Sequence, residues 1–359
     1  MTSNSDRFVV GFVSTPHPHS VLHMKTLDVL DAIETVHVCG LEGEDVDMLA
    51  AETDKVASTT NNLDELLARD DIDALVVSVR NDVCPMVLEA GIAAGKGSLF
   101  EKPGALCADD LRRIMELAKA RGLVMGAMFQ NRTNPKVVET REARRDGALG
   151  TVMAVEGRMV TSQVRYRDPN HWLFRKGMSG SGILSWLGCH HIDLMSYMME
   201  ERIVEVTALL GNQNPERLEV EDTAMLAVRF EGGGLGSLHA GYHLPGSDAG
   251  YTGASYDSFL ALRGSKGYAR MPMEEDGYTL YSQAPGWEAL GEQYRSFSPP
   301  DSKAYGGFAG ERFLEDYLQA IRTGGEAPAP IEAAVHVLEV IDAAIESSET
   351  GRSVSIAKP

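Results

Sequence analysis

The feature that most constrains the fold is an alternation of short apolar runs with helical segments, which continues from residue 8 to about residue 126. Apolar runs rich in β-branched residues occupy residues 8–13, 36–39 and 74–79. Segments with helical spacing or capping lie between and after them, as in residues 21–31 and 108–120. Because strands that alternate with helices form βαβ units, this pattern predicts an α/β domain with a doubly wound, mostly parallel sheet.

After about residue 126 the pattern changes to strands that follow one another. Strand patterns occupy residues 223–230, 235–243 and 258–263, and the Gly-Ser-Lys-Gly segment at 264–267 predicts a hairpin turn. Successive strands joined by turns form antiparallel sheets, which can leave one face open. We therefore predict two domains, residues 1–126 and residues 127–359. The second is an α+β domain with an open, mostly antiparallel sheet, and its C-terminal helices are expected to pack back on the first domain or on the sheet.

Net charge and cysteine usage exclude several classes of partner. The 33 basic and 52 acidic residues leave a formal net charge of −19, which disfavours nucleic-acid and anionic-membrane partners. The chain shows no basic segment followed by an apolar run and no stretch of about 18 apolar residues, so we expect neither a signal peptide nor a membrane span. The four cysteines form no CxxC pair, which is typical of reduced thiols. We expect a cytoplasmic protein.

A loop in the position of a phosphate-binding turn follows the first strand, at residues 11–20. Only Gly11 fits the G-x-G-x-x-G fingerprint, since Val13 and Pro16 hold the second and third glycine positions. Backbone N–H groups at the start of the following helix can still hold phosphate. Hydroxyl donors are present, and His17 and His19 can donate as well, with loop packing as their alternative role. The cofactor-binding candidates in this segment are Gly11, Val13, Ser14, Thr15 and His17.

Carboxylates after the second strand indicate a ribose contact. A carboxylate at this point of a dinucleotide-binding fold accepts the adenosine ribose hydroxyls. Glu42 is the first candidate, with Glu44 and Asp45 behind it, and the alternative is that Glu42 begins a solvated acidic helix. No Arg or Lys occurs between residues 36 and 52, so a 2′-phosphate would meet repulsion and NAD is expected rather than NADP. Further cofactor candidates after the fourth strand are Ser78, Arg80 and Asn81.

The segment Phe100-Glu101-Lys102-Pro103-Gly104 lies at the end of a predicted strand over residues 97–100. Open parallel sheets bind ligands at the carboxyl ends of their strands. A lysine held there can hydrogen-bond a substrate hydroxyl or carbonyl oxygen, and it can lose its proton when it is desolvated. If the pair Glu101–Lys102 is taken alone, the alternative interpretation is a surface ion pair that precedes a helix.

A second candidate site lies on an apolar segment that is predicted to be one helix over residues 182–199. At 100° per residue, Trp186, His190 and Asp193 share one face, and His191 lies on a neighbouring one. Asp193 can accept a hydrogen bond from His190 and set the tautomer of that ring. The alternative is that His190 is a core histidine whose only role is to be hydrogen-bonded by this aspartate. Adjacent histidines diverge and no third ligand has suitable spacing, so no metal is expected.

Together these motifs resemble the Gfo/Idh/MocA oxidoreductases, a family that includes glucose–fructose oxidoreductase and inositol dehydrogenases. The resemblance rests on residues 100–103, on Ala-Gly-Lys at 94–96 and on the Gly-Ser-Gly…Gly-Cys-His…Asp pattern of residues 180–193. It extends over nearly the whole chain, through residues 148–152, 264–267 and 349–354. It implies an N-terminal Rossmann domain that binds NAD(P) and a C-terminal domain with an open antiparallel sheet.

The resemblance also implies chemistry at particular residues. Hydride would pass between nicotinamide and a sugar or polyol carbon, Lys102 would orient the reacting hydroxyl, and His190 would act as acid/base beside His191 and Asp193. Glu101 and Lys102 are also candidates for contact with the cofactor. The chain departs from the family in its glycine-poor first loop and in Trp186, which stands where the family often has an aspartate.

The sequence thus predicts an NAD-dependent oxidoreductase that acts on CH–OH groups and forms a homodimer or homotetramer through the open sheet. Two alternatives stay open. One is an NAD-using lyase or glycoside-cleaving enzyme that oxidises its sugar transiently, and the other is a nucleotide-binding regulator without turnover. The substrate-binding candidates are Arg132, Tyr166, His171, Trp172 and Trp186.

Overall fold

A computed structural model describes residues 7–250, 253–287 and 291–357 of the chain. These residues form two compact units. One unit runs to Thr133 and adds Pro300–Val335, and the other comprises Asn134–Pro299 and continues from His336. These units are defined by contacts, and the division into two domains after residue 126 that the sequence indicated stays a prediction.

The secondary structure follows the order expected from the sequence, helices between strands first and successive strands afterwards. The strands are β1 (Phe8–Ser14), β2 (Ile33–Gly40), β3 (Val56–Thr60), β4 (Ala74–Ser78), β5 (Gly97–Phe100), β6 (Met125–Ala127), β7 (Val152–Ser162), β8 (Ile203–Gly211), β9 (Thr223–Phe230), β10 (Leu235–Leu244), β11 (Tyr256–Gly264), β12 (Gly267–Pro272), β13 (Gly277–Ser282), β14 (Glu292–Ser296) and β15 (Val354–Ser355). The α-helices are α1 (Ser20–Val29), α2 (Val46–Ala50), α3 (Leu63–Leu67), α4 (Cys84–Ala93), α5 (Ala108–Ala120), α6 (Pro135–Arg145), α7 (Lys176–Ser179), α8 (Cys189–Met199), α9 (Gly307–Thr323) and α10 (Ile331–Thr350). Within the described residues, no helix is both long enough and apolar enough to cross a bilayer.

The first unit contains a six-stranded parallel sheet in the order β3-β2-β1-β4-β5-β6. Its central strands β1 and β4 are apolar and almost wholly buried, as expected for a parallel sheet covered on both faces. The strand order runs outward in both directions from this central pair, and such a reversal point is where doubly wound sheets bind ligands. The α/β fold class expected from the sequence is confirmed.

The edge strand β3 was not expected from the sequence. Its residues, Val-Ala-Ser-Thr-Thr, are largely half-buried or exposed. β3 pairs only with β2 at the edge of the sheet, so it needs no continuous apolar run. Apolar patterning therefore identifies the central strands of this sheet and misses the strand at its margin.

The structure corrects the register expected for the phosphate loop. Gly11 lies inside β1, which continues to Ser14, and Val13 is a buried strand residue. A Cβ atom at Gly11 would lie 2.7 Å from Cδ2 of Leu75 on the neighbouring strand β4, closer than real Cβ atoms approach. Glycine avoids this contact between neighbouring strands, and the loop itself begins at Thr15.

The second unit contains a nine-stranded sheet in the order β14-β13-β12-β11-β7-β10-β9-β8-β15. Its strand pairs are antiparallel except for β7 and β10, which run parallel, so the mostly antiparallel sheet is confirmed. The predicted hairpin at residues 264–267 joins β11 to β12. Helix α8 packs against β7, β10 and β11 on one face of this sheet. The strands β13 and β14 were not expected from the sequence.

The segment expected as one uniform helix over residues 182–199 begins differently. Leu184–Gly188 forms a π-helical turn, in which the N–H of Cys189 bonds the carbonyl of Leu184, five residues back, before α8 starts. A register of 100° per residue holds only within an α-helix. The alignment of Trp186 with His190 that was expected from the sequence therefore does not extend across this turn.

A buried carboxylate holds the start of this turn. Glu221 accepts hydrogen bonds from the backbone N–H of Gly182 at 2.8 Å and from that of Leu184 at 3.1 Å, and the Ser181 hydroxyl donates to it at 2.7 Å. A Cβ atom at Gly182 would overlap the carbonyl oxygen of Glu221, so only glycine permits this approach. The Gly-Ser-Gly motif thus serves to dock the turn onto the β8–β9 connection.

Candidate functional site

Buried hydroxyls connect the carboxyl ends of the two central strands of the first unit. Ser20 Oγ, at the start of α1, lies 2.6 Å from Ser14 Oγ and 3.1 Å from Ser78 Oγ. The Thr15 hydroxyl accepts a hydrogen bond from the backbone N–H of Arg80 at 3.0 Å. The structure thus brings together Ser14, Thr15, Ser78 and Arg80 at the reversal point of the sheet.

The carboxylates after β2 have two different environments. Glu44 is buried and its Oε2 atom accepts a hydrogen bond from Ser14 Oγ at 2.5 Å. Burial raises the pKa of Glu44 above its usual range. Glu42, the candidate favoured by the sequence, is half exposed and has a left-handed backbone with φ of 54°. Glu44 is therefore the acid fixed beside the hydroxyl cluster, and Glu42 lies at its exposed margin.

A basic residue faces Glu42 from the loop after β4. The Nη1 atom of Arg80 lies 3.6 Å from Glu42 Oε2, and Asp82 accepts two further hydrogen bonds from the same guanidinium, at 2.9 and 3.0 Å. Although no Arg or Lys occurs between residues 36 and 52, the surroundings of Glu42 therefore do contain a cation. The cation comes from the loop after β4, where Asn81 is also buried.

Around Glu101 lies a group of side chains that we call the imidazole cluster, formed by His17, His19, His23, Glu101 and Tyr305. Glu101 Oε1 accepts hydrogen bonds from His19 Nδ1 at 2.7 Å and from His23 Nε2 at 2.6 Å. The Tyr305 hydroxyl lies 3.3 Å from His19 Nε2, and the two rings are 4.2 Å apart. The His17 ring lies 5.0 Å from that of His19.

The charge in the imidazole cluster resides on the carboxylate. Burial lowers the pKa of His19 to about 4 and lowers that of His17 well below its usual value. Burial by itself would raise the pKa of Glu101, but the hydrogen bonds and charges of His19 and His23 hold it well below its usual range. Glu101 is therefore ionised near neutral pH, with His19 as a neutral N–H donor.

Lys102 lies beside this cluster at the carboxyl end of β5. Its side chain is only 1% exposed, and its charge contributes to the lowered pKa values of His17 and His19. The backbone N–H of Glu101 donates to the Val77 carbonyl of β4 at 2.8 Å, which fixes this segment to the sheet. The exposed ion pair that was the alternative interpretation of Glu101–Lys102 is excluded, because both side chains are buried.

In the second unit, the two adjacent histidines of α8 are both buried. His191 is fully buried, its Nε2 atom lies 3.3 Å from Ser258 Oγ, and the ring also contacts the backbone of Phe259. Burial lowers the pKa of His191 to about 4. His190 is 5% exposed. His191 is thus held against β11, and its assignment as a catalytic residue stays a prediction.

Asp193 has a neighbour that the sequence did not indicate. It is 2% exposed, and its charge acts on His336 of α10. The Nε2 atom of His336 accepts a hydrogen bond from the backbone N–H of Ile203 at 3.1 Å. Asp193 is therefore a buried charge whose field reaches His336, and its pairing with His190 stays a prediction.

The aromatic candidates for substrate contact meet within the second unit. The rings of Trp172 and Trp186 are 6.2 Å apart and almost perpendicular, and the ring of His171 lies 5.6 Å from that of Trp172. The other two candidates have structural contacts: the Tyr166 hydroxyl accepts from the Gly246 N–H at 2.7 Å, and Arg132, in the first unit, donates to the Pro328 carbonyl at 3.1 Å.

Sequence reasoning missed His23 and Tyr305, and it placed Glu44 behind Glu42. A signal for His23 was present, because His19 and His23 are four residues apart and residues with that spacing share a helix face. Tyr305 had no such signal, because it reaches the cluster from a segment almost 300 residues away.

Comparisons with known proteins identify two family models along the chain. A family model described as an oxidoreductase family with an NAD-binding Rossmann fold matches residues 9–129. A model of the GFO/IDH/MocA C-terminal domain matches residues 137–270. The matches follow the two sheets of the structure.

Individual relatives are distant but extend over most of the chain. The 1,5-anhydro-D-fructose reductase of Ensifer adhaerens is 24% identical over 267 residues, which cover 67% of this chain and 78% of that protein. The inositol 2-dehydrogenase of Rhizobium meliloti (strain 1021) is 25% identical over 315 residues, covering 82% and 84%. A levoglucosan dehydrogenase solved in complex with NADH and levoglucosan shares the fold, with a TM-score of 0.83 and 20% identity over 98% of this chain and 100% of that one.

Proposed function

The chain belongs to the Gfo/Idh/MocA oxidoreductase family, with its NAD-binding Rossmann fold, and on this premise we propose that it oxidises or reduces a hydroxyl-bearing carbon of a sugar or polyol. In this proposal Lys102 orients the reacting hydroxyl and His190 acts as the acid/base. The substrate class is supported by relatives whose names refer to an anhydro sugar, an inositol and levoglucosan.

The observation that carries the proposal is the burial of Lys102. A lysine that is 1% exposed at the end of a parallel strand has lost most of its hydration, and the neighbouring Glu101 is buried as well. Buried charges of this kind cluster at functional sites, where the field of an amine can act on a substrate oxygen in a medium of low dielectric constant. An amine in this position can stabilise the negative charge that develops on a carbinol oxygen.

The residues of the first unit fit NAD. The hydroxyls of Ser20 and Ser78 and the start of the ten-residue helix α1 offer donors for a pyrophosphate. Glu42 and Glu44 offer acceptors for ribose hydroxyls. Bound NAD would supply the hydride acceptor, and the residues of the chain would handle the proton.

The proton must leave the hydroxyl when the hydride leaves the carbon. We assign its acceptance to His190, because histidine is the side chain that most often acts as a general base. Trp172 and Trp186 would offer ring faces to the C–H surface of a sugar, with His171 as a hydroxyl contact beside them.

A second candidate function is net cleavage through transient oxidation. It is favoured by Trp186, which is 3% exposed and stands where the family often has an aspartate, so a proton relay through that carboxylate is absent or moved. Such an enzyme would oxidise a sugar, permit elimination, and then reduce the product, with no net consumption of NAD.

A panel assay tests both candidates. The full chain is incubated with NAD and a set of sugars and polyols, and NADH is followed by its absorbance at about 340 nm, a wavelength set by the reduced nicotinamide ring. NADH formation with at least one compound supports the dehydrogenase. Release of an aglycone from a glycoside without NADH accumulation supports the transient route. Measurable NAD binding with neither outcome overturns both and favours a regulator.

Assembly and location are proposals of the same kind. The sheet of the second unit carries exposed apolar side chains, with Leu209 at 74%, Leu235 at 51% and Met225 at 45% exposure. Exposed apolar patches of this kind mark interaction surfaces. We propose a homodimer or homotetramer formed through this face in the cytoplasm. Light scattering coupled to size exclusion, which would give a monomer mass if the proposal is wrong, tests the assembly.

A further inference from the structure

Within the described part of the chain, His17, His19 and Glu101 form a group whose potential ligand atoms all lie within 4.8 Å of one another. All three side chains are buried, with exposures of 8%, 0% and 1%. We propose that this group binds one divalent transition-metal ion of the Zn²⁺ or Co²⁺ class. The site is distinct in chemistry from hydride transfer, and its existence does not depend on the function proposed above.

The donor set selects the class of metal. Two imidazole nitrogens and one carboxylate oxygen are the ligand types of His₂Glu zinc sites, which keep a further position open for an oxygen ligand. Mg²⁺ and Ca²⁺ require oxygen-rich shells that this group does not offer. Lys102 is close enough to oppose a cation, so binding has to come from directed nitrogen and oxygen bonds rather than from net negative charge.

The second observation is an acceptor atom without a hydrogen-bond partner. Glu101 Oε2 is buried, and no described residue donates a hydrogen bond to it, whereas Oε1 accepts from both His19 and His23. Leaving a buried carboxylate oxygen unsatisfied is costly, and such atoms in native structures call for an explanation such as an ion. A metal bound at Oε2 would satisfy this atom without disturbing the His23 hydrogen bond.

The surroundings supply the outer contacts that metal ligands usually have. His23 donates to the carboxylate at 2.6 Å, and Tyr305 lies 3.3 Å from the second nitrogen of His19. His19 can bind the metal through Nδ1 if its proton moves to Nε2, which then donates a hydrogen bond to the Tyr305 oxygen. Metal binding at Nδ1 then requires no loss of a proton from His19 or Tyr305. Outer partners of this type orient ligands and are worth about 10- to 100-fold in metal affinity.

Pro18 stiffens the ligand loop between the two histidines. Its ring fixes φ, so the loop loses little conformational freedom when both imidazoles are held by one ion. The histidine pair and Glu101 come from different segments of the first unit. A bound metal would therefore cross-link the loop after β1 to the end of β5.

Titration of the metal-free full chain with Co²⁺ tests the proposal without cofactor or substrate. We expect one equivalent bound per chain, with the visible d–d bands of nitrogen-coordinated Co²⁺ that Zn²⁺ displaces and Mg²⁺ does not. His17→Ala and the isosteric Glu101→Gln should each lower the affinity by about 100-fold or more, and His23→Phe by about 10- to 100-fold.

His37→Ala is the matched control, because His37 is also a buried histidine of the first unit but bonds Ser58 outside the cluster, at 2.7 Å. It should bind Co²⁺ as the wild type does. Circular dichroism of each metal-free variant checks that it folds. Absence of the bands in the wild type, or equal uptake by wild type and His17→Ala, would overturn the site. NADH formation is measured in a separate assay. The metal site and the proposed dehydrogenase function can therefore each fail without the other.

Discussion

The Nδ1 atom of His19 lies 2.7 Å from the Oε1 atom of Glu101, although the two residues are 82 positions apart in the chain. This hydrogen bond joins the loop after β1 to the end of β5 and keeps a carboxylate ionised in a buried position. Lys102 follows Glu101 directly. The charges around the amine that we propose to act on the substrate therefore depend on a histidine of the loop after β1.

Replacement of Lys102 by methionine should reduce kcat by about 10²- to 10³-fold, because one preorganised stabiliser of oxygen charge is lost. NADH formation at saturating substrate measures the change. Lys96→Met is the matched control, since Lys96 is also buried but donates to the carbonyls of Arg69 and Ile72, at 2.7 and 3.2 Å. It should lose about 1–3 kcal/mol of stability and keep its kcat. Equal losses of kcat in both variants would refute the role of Lys102.

His190→Asn should lower kcat by about 10²- to 10⁴-fold, the range for loss of a general base, with little effect on folding. The pH profile of kcat should lose the ionisation assigned to this imidazole. His243→Asn serves as the control, because His243 bonds the Thr223 hydroxyl at 2.8 Å within the sheet. If His190→Asn retains both the rate and the pH profile of the wild type, another residue accepts the proton.

Stability should fall as the pH falls from about 6.5 to 4, because burial lowers the pKa of His191 from 6.5 to about 4 in the folded state. Above pH 6.5 His191 is neutral in both states, so its contribution is complete. Between the two pKa values only the unfolded chain gains the proton, which favours unfolding. His19 contributes in the same direction, since burial lowers its pKa to about 4.

Removal of His191 should flatten this dependence. Between pH 7 and pH 5, the loss in free energy of unfolding should be smaller in His191→Asn than in the wild type by about 2 kcal/mol, from the two pKa values and linkage. Urea unfolding followed by circular dichroism at both pH values measures the difference. Identical pH dependence in the two proteins would mean that the pKa of His191 is the same in the folded and the unfolded chain. The ring would then be solvated in the folded chain or already paired in the unfolded one.

Glu42→Ala should shift cofactor preference toward NADP. Glu42 repels a 2′-phosphate and lies 3.6 Å from Arg80, so its removal leaves that guanidinium available to the phosphate. The ratio of kcat/KM for NADP to that for NAD should rise about tenfold, or about 1.4 kcal/mol. Glu52→Ala removes a nearby carboxylate that pairs with Lys25 instead, at 3.8 Å, and should leave the ratio unchanged. An unaltered ratio in Glu42→Ala would show that this residue does not set the preference.

The sequence alone determined the class of both sheets. Buried strands such as β4 carry continuous apolar runs, and β9 shows alternation, since each pattern directly reflects how many faces of the strand are buried. It also determined that Lys102 lies at a strand end, because strand and helix limits are local properties. The family resemblance was confirmed as well, because the short motifs that carry it are also local features of the chain.

Tertiary structure alone decided which of these residues meet. Strand order brings Arg80 to Glu42, and the fold brings His19 and His23, from the start of α1, to Glu101 after β5. Local periodicity contains no information about such pairs, because it depends on burial along one segment and not on the partner across the sheet. The π-helical turn at Leu184–Gly188 was likewise decided by a distant group, the Glu221 carboxylate that holds its first residues. A pattern along the chain thus shows which side chains are buried, and only the fold shows what they are buried against.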